Sequence, residues 1–188
     1  MKRNIRLFII LLSSWVVIGC VQVTPEQQQN NTQLAISSVR DLPVSYSPGS
    51  LFSLVPKYAK ETSLTAEQTQ AIYHFYSKAL TADLISNGYI KRQTMQQAAF
   101  YVGFGIVLSD DLSDDKISEQ FGVTPGLSEK SELMKGSFLI YIEDAVTGQK
   151  VWRGIAQGFA NTELTSKQRQ QRTAKIVANV MKQFYQTN

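Results

Sequence analysis

The chain has 188 residues, 43% of them hydrophobic and 18% charged, a length that suits one folded domain with a short extension. Its net charge of +4 comes largely from its first six residues, because Lys2, Arg3 and Arg6 stand there without an acidic neighbour; beyond them 16 basic residues face 15 acidic ones. That near-neutrality excludes the clustered basic surface that nucleic acid demands. One cysteine, Cys20, and one histidine, His74, exclude an intramolecular disulfide and a Cys/His zinc centre.

The positive start is followed by an apolar run, Leu7–Ile18, that ends at Gly19-Cys20. The run is too short to span a bilayer, which takes about 20 residues, and the three-part build predicts a secretory leader over residues 1–19. Val17-Ile18-Gly19-Cys20 resembles a bacterial lipobox. In that motif the cysteine thiol takes a diacylglyceryl group and a peptidase cuts before it, here between Gly19 and Cys20. The mature chain then begins at a lipid-bearing Cys20 and is held to the membrane by acyl chains such as palmitate, each buried methylene contributing about 0.8 kcal/mol. By resemblance to the lipoproteins of enteric-type bacteria, Val21 in place of Asp implies the outer membrane, with the domain on its periplasmic face.

Residues 21–39, VQVTPEQQQNNTQLAISSV, are rich in Gln, Asn, Ser and Thr and carry no sustained apolar face. The expectation is a flexible tether over 20–39 and a single domain over 40–188. Short extended segments at Leu42–Tyr46 and Leu51–Val55 are punctuated by Pro43, Pro48, Gly49 and Pro56. Thr65 with Gln68 forms a capping box, and Ile72, Phe75, Tyr76, Ala79, Leu80 and Leu84 make an apolar stripe, so a helix is placed near 66–87. Residues 99–108 read as a strand whose glycines at 103 and 105 suggest a bend or the close approach of another element. Residues 109–135 read as a polar loop. The strands 137–143 and 150–159 form the clearest hairpin, with Asp144–Gln149 as its turn.

In the second strand of that hairpin Trp152, Gly154, Ala156 and Gly158 share one face, which lets a helix lie close. That helix is the last one, near 165–185, opened by Thr165 with Gln168 and striped by Ala174, Val177, Val180, Met181 and Phe184. The order β-α-β-β-β-α predicts an α+β fold: a small antiparallel sheet with helices mainly on one face.

The segment GSFLIYIEDAVTGQKVWRGIAQG resembles the bacterial "domain of unknown function 4136" lipoproteins, through its apolar strand, its Asp-x-x-Thr-Gly turn at Asp144–Gly148 and its Val-Trp-Arg-Gly at 151–154. The pattern extends over roughly residues 42–185. The resemblance implies an α+β envelope lipoprotein and carries no catalytic role to any residue.

Four features are candidates for chemistry. Asp110, Asp111, Asp114, Asp115 and Glu119 lack the spacing and turn glycine of a calcium loop and read as a solvated acidic loop. His74 has no nucleophile motif to serve and reads as a helix-surface histidine. Trp152 and Arg153, on opposite faces of their strand, are the candidate interaction residues, since both types are frequent binding hot spots. The structural reading, favoured for Trp152, packs it under the last helix and leaves Arg153 solvated. The long 109–135 segment is the expected functional edge. With no catalytic residue, metal or cofactor expected, the sequence favours a non-enzymatic accessory module that contacts an envelope protein. The rival is a small-molecule or lipid carrier with an apolar pocket between sheet and helices.

Overall fold

The computed structural model describes residues 33–57, 62–93, 95, 97–124, 126–128, 130, 133–161 and 163–186. The expected leader, Cys20 and residues 21–32 lie outside them. Six strands, β1 (Leu34–Arg40), β2 (Leu51–Pro56), β3 (Ile90–Lys91), β4 (Phe100–Leu108), β5 (Lys135–Asp144) and β6 (Lys150–Phe159), combine with three helices, α1 (Ala66–Ser86), α2 (Asp114–Phe121) and α3 (Ser166–Gln186). The strands form one open sheet in the order β1-β6-β5-β4-β2-β3, an α+β fold.

Three expectations are corrected. The sheet is mixed, because β2 pairs parallel with both β3 and β4 while β1, β6, β5 and β4 are antiparallel neighbours. The cause is α1: a helix between β2 and β3 returns the chain to its starting end, so the flanking strands run the same way. The folded part begins before residue 40, since residues 34–39, expected within the tether, belong to β1, in register from Leu34 opposite Gly158 to Arg40 opposite Trp152. Its Ser37-Ser38 pair conceals the alternation, and backbone pairing to an exposed sheet edge makes the strand. The polar loop contains α2, capped by Ser113, acidic in its first turn and ended by Gly122 in the left-handed region at φ +71°. This helix covers the face of the sheet opposite α1 and α3.

The two faces are unequal. α1 and α3 cover the larger core, where Phe52, Phe100, Trp152 and Phe184 are buried with Leu80, Leu84 and Ile140. Ile117 of α2 joins Val123 and Ile155 in a smaller cluster on the other face. α1 opens with the expected capping box, the Thr65 side chain accepting from the Gln68 N–H. Its buried stripe is Tyr73, Leu80 and Leu84. Tyr73, absent from the sequence-derived stripe, donates its hydroxyl to the Lys57 carbonyl at 2.6 Å and accepts from the Ile106 N–H at 3.2 Å, satisfying backbone groups just beyond the end of β2. In α3 the buried series is Thr173, Val177, Val180, Met181 and Phe184, and Ala174 is exposed.

Trp152 is 1% exposed, and its ring lies 5.6 Å from that of Phe184. A Cβ at position 154 would stand 2.4 Å from the indole, so glycine is what lets the ring lie flat along its own strand. Trp152→Ala should cost about 3–5 kcal/mol, as truncation of a large buried aromatic does. In the chain from residue 21 onward Trp152 is the one tryptophan. Its emission should be blue-shifted and move red cooperatively in urea, whereas solvent-like emission in the folded protein would contradict the packing.

Candidate functional site

The candidate interaction residues do not present themselves to a partner. Burial removes Trp152 from any surface. Arg153, expected to be solvated, is turned inward on the α2 face. Its Nε donates to Asp41 Oδ2 at 2.8 Å, a second nitrogen completes a bidentate pair with Asp41 Oδ1, and a third donates to the Phe121 carbonyl at the end of α2. Each side chain of the pair retains 21% exposure. Arg153 thus ties the segment after β1 and the end of α2 to the middle of the sheet. Adjacent strand residues do face opposite sides, as expected, but both sides here are covered.

The acidic run is also divided among structural tasks. Asp111 accepts from the Thr62 hydroxyl at 3.0 Å and the Ser63 N–H at 2.8 Å, fixing the approach to α1. Asp114 pairs with Lys135 at 2.5 Å and accepts from Gln157 Nε2 at 2.8 Å. Gln157, fully buried, also donates to Ser137 Oγ at 3.0 Å and accepts from the Leu127 N–H at 3.2 Å. This network holds the α2–β5 connection against the sheet, and each of its buried polar groups has a partner there. Asp110, Asp115 and Glu119 are exposed, as is His74, whose ring meets only the edge of its neighbour Phe75 among the ring contacts. The 109–135 segment is therefore largely a folded cover for the second face.

At the hairpin turn, Asp144 accepts from the backbone N–H groups of Val146 and Thr147 and from the hydroxyls of Thr147 and Tyr46. The Thr147 backbone contact contributes most to holding its carboxyl below the usual carboxylate range. Tyr46 is pushed the other way, first by burial and then by Asp144. The Asp-x-x-Thr-Gly signature is thus a turn device, completed by Gly148 at φ +67°.

A large concave feature lies elsewhere. A cleft of about 430 Å³ opens between the sheet and the first halves of α1 and α3. Ile106, Leu108, Gly136, Phe138, Ala156 and Gly158 form its sheet side; Ala71, Ile72, Phe75, Tyr76 and Ile176 form its helix side. Leu164, Met134 and Leu34 stand around it, and its charged members are Glu67, Arg169 and Arg172. Its size falls within the 300–1,000 Å³ range of small-molecule sites. Small residues on the sheet side create the space. Burial pushes the Tyr76 hydroxyl up to about 12, with the nearby Arg172 charge opposing the shift. The site is not legible in the sequence because its members come from six separate elements and the loops between them. The usable signal was the run of Gly and Ala on the helix-facing side of β5 and β6, which was read only as room for a helix.

The model of the family described as Domain of unknown function (DUF4136) matches residues 43–184. The chain belongs to that family. A DUF4136 family protein from Bacteroides thetaiotaomicron superposes with a TM-score of 0.50 at 15% identity, covering 82% of this chain and 97% of its own. That likeness shows the DUF4136 fold. The PelC dodecamer from Paraburkholderia phytofirmans gives a TM-score of 0.47 at 9% identity over 79% of this chain and 95% of that one. Lipoprotein GNA1162 from Neisseria meningitidis gives 0.37 at 13% identity over 74% and 99%. No curated protein matches the sequence. Among the described residues of this DUF4136 chain, no helix is long and apolar enough to cross a membrane.

Replacing Arg153 by Ala leaves Asp41 and the Phe121 carbonyl without their donors. The expected loss is about 1.5–3 kcal/mol in urea unfolding, the range for hydrogen bonds to charged groups. Amide exchange should quicken across 34–41. Unchanged stability would return Arg153 to the solvated role read from the sequence.

Proposed function

We propose that this DUF4136 protein is a lipid-anchored lipoprotein of the bacterial outer membrane, a non-enzymatic binding module on the periplasmic side. Its binding element is the apolar cleft between the sheet, α1 and α3. The anchor reading rests on the leader and on the Gly19-Cys20 junction. The binding reading rests on one observation, a concave site of about 430 Å³ with apolar walls on both sides. Of the two binding classes drawn from the sequence, the carrier of a small apolar ligand gains from this geometry. The envelope-protein partner loses Trp152 as its anchor, because a residue 1% exposed contributes no contact area.

Two experiments test the two halves separately. Cys20→Ser should abolish labelling of the protein by an alkyne fatty acid in cells, since the thiol is the acylation site; equal labelling of wild type and variant would refute the anchor. For the cleft, Gly136→Leu places a side chain into the space. A Cβ there meets nothing closer than 3.7 Å, so the backbone tolerates the change. Binding of an apolar, polarity-sensitive dye should fall at least tenfold while the melting temperature is kept. Undiminished dye binding would locate the apolar site elsewhere.

A further inference from the structure

Two arginines, Arg169 and Arg172, border the apolar cleft. Arg169 donates Nε to the Leu164 carbonyl at 2.9 Å, and Arg172 donates one nitrogen to the Phe159 carbonyl. Neither has a carboxylate partner among the described residues, although Glu67 lines the same cleft. Arg153, by contrast, takes a bidentate carboxylate from Asp41. A guanidinium fork with open donors is suited to a planar carboxylate. Close by, Tyr76 lines the cleft with its ring stacked on that of Phe138 at 4.5 Å. A largely apolar hollow with two arginines at its border has the polarity of an amphiphile in negative.

Resting on the cleft reading above, we propose that the cleft binds a long-chain fatty acid, its single acyl chain between the sheet and helices and its carboxylate at Arg169 and Arg172. The volume is near the lower end of the range for ligand sites, which favours one chain over the two of a membrane phospholipid. The arrangement of α1 and α3 adds to the charge. Both helices begin beside the cleft, so the positive ends of their dipoles reinforce the arginines. The chain's own lipid on Cys20 supplies no free carboxylate, so the arginines argue for a free acid as occupant.

The test uses the chain from residue 21 onward, which contains every described element, with palmitate and the neutral hexadecanol as probes, both below their aggregation limits. Palmitate should bind at least tenfold more tightly than hexadecanol, with the preference declining as salt is raised. Arg169→Gln with Arg172→Gln should remove the preference while leaving hexadecanol binding within about twofold; Arg172→Lys should retain part of it. Equal binding of both probes to the unaltered chain would overturn the carboxylate assignment and leave the apolar cleft standing. Binding of neither would overturn the cleft reading as well. If the acylated protein purified from membranes excludes palmitate while the unacylated chain binds it, the cleft is filled by the protein's own lipid, and the free-acid proposal fails.

Discussion

Phe184, near the end of α3, fixes how the helices sit on the sheet. Fully buried, it faces the rings of Trp152 at 5.6 Å, Phe100 at 6.3 Å and Tyr89 at 6.4 Å. Tyr46 and Phe52 extend this aromatic group around Phe100. Large rings fill this end of the interface, and they bring the late turns of both helices onto the strands. The Tyr185 hydroxyl then donates to Asp83 Oδ2 at 2.5 Å, joining the last turn of α3 to the last turn of α1. Burial raises the carboxyl of Asp83 above its ordinary range, against the pull of that hydrogen bond, so the contact is made at a desolvated site.

The opposite end has no such filling. Gly136, Ala156, Gly158 and Ala71 stand where the aromatic end has rings, and the first turns of both helices are exposed. Close packing is the norm in protein interiors, and a row of small residues under two amphipathic helices leaves space that the backbone cannot collapse. Because α1 and α3 run parallel, fixed at their late turns, the space appears beside both N-termini at once. The cleft is thus a consequence of unequal side-chain volume along one interface. The second face is closed by α2 and the Lys135–Asp114–Gln157 network.

Much of this fold was legible in the sequence. The β5–β6 hairpin, the capping box at Thr65 and Gln68, and the burial of Trp152 over small neighbours all follow from local pattern, and local pattern is what a sequence displays. Gly103 was read as a point of close approach, and the Tyr141 ring of β5 lies where its Cβ would be. Three things were hidden. β1 depends on an edge offered by β6 and has little apolar signature of its own. α2 is eight residues long and mostly polar, so its caps at Ser113 and Gly122 were the only signals. Arg153 looked solvated because its partner Asp41 lies 112 residues earlier. The cleft was anticipated as a class of pocket, but not in place: a void is a property of volumes summed over several elements, and no single segment records it.

If one end of the α1–α3 interface is packed and the other accepts an apolar chain, the two ends respond differently to a fatty acid. Methyl NMR of the chain from residue 21 onward, titrated with palmitate, addresses it directly. Isoleucines report on both ends: Ile72, Ile106 and Ile176 line the cleft, while Ile142 is fully buried opposite Trp152. Saturable shifts are expected at the first three, with a still signal from Ile142. Shifts centred on Ile142, or on the exposed Ile85 and Ile90 with the cleft methyls unmoved, would contradict that expectation.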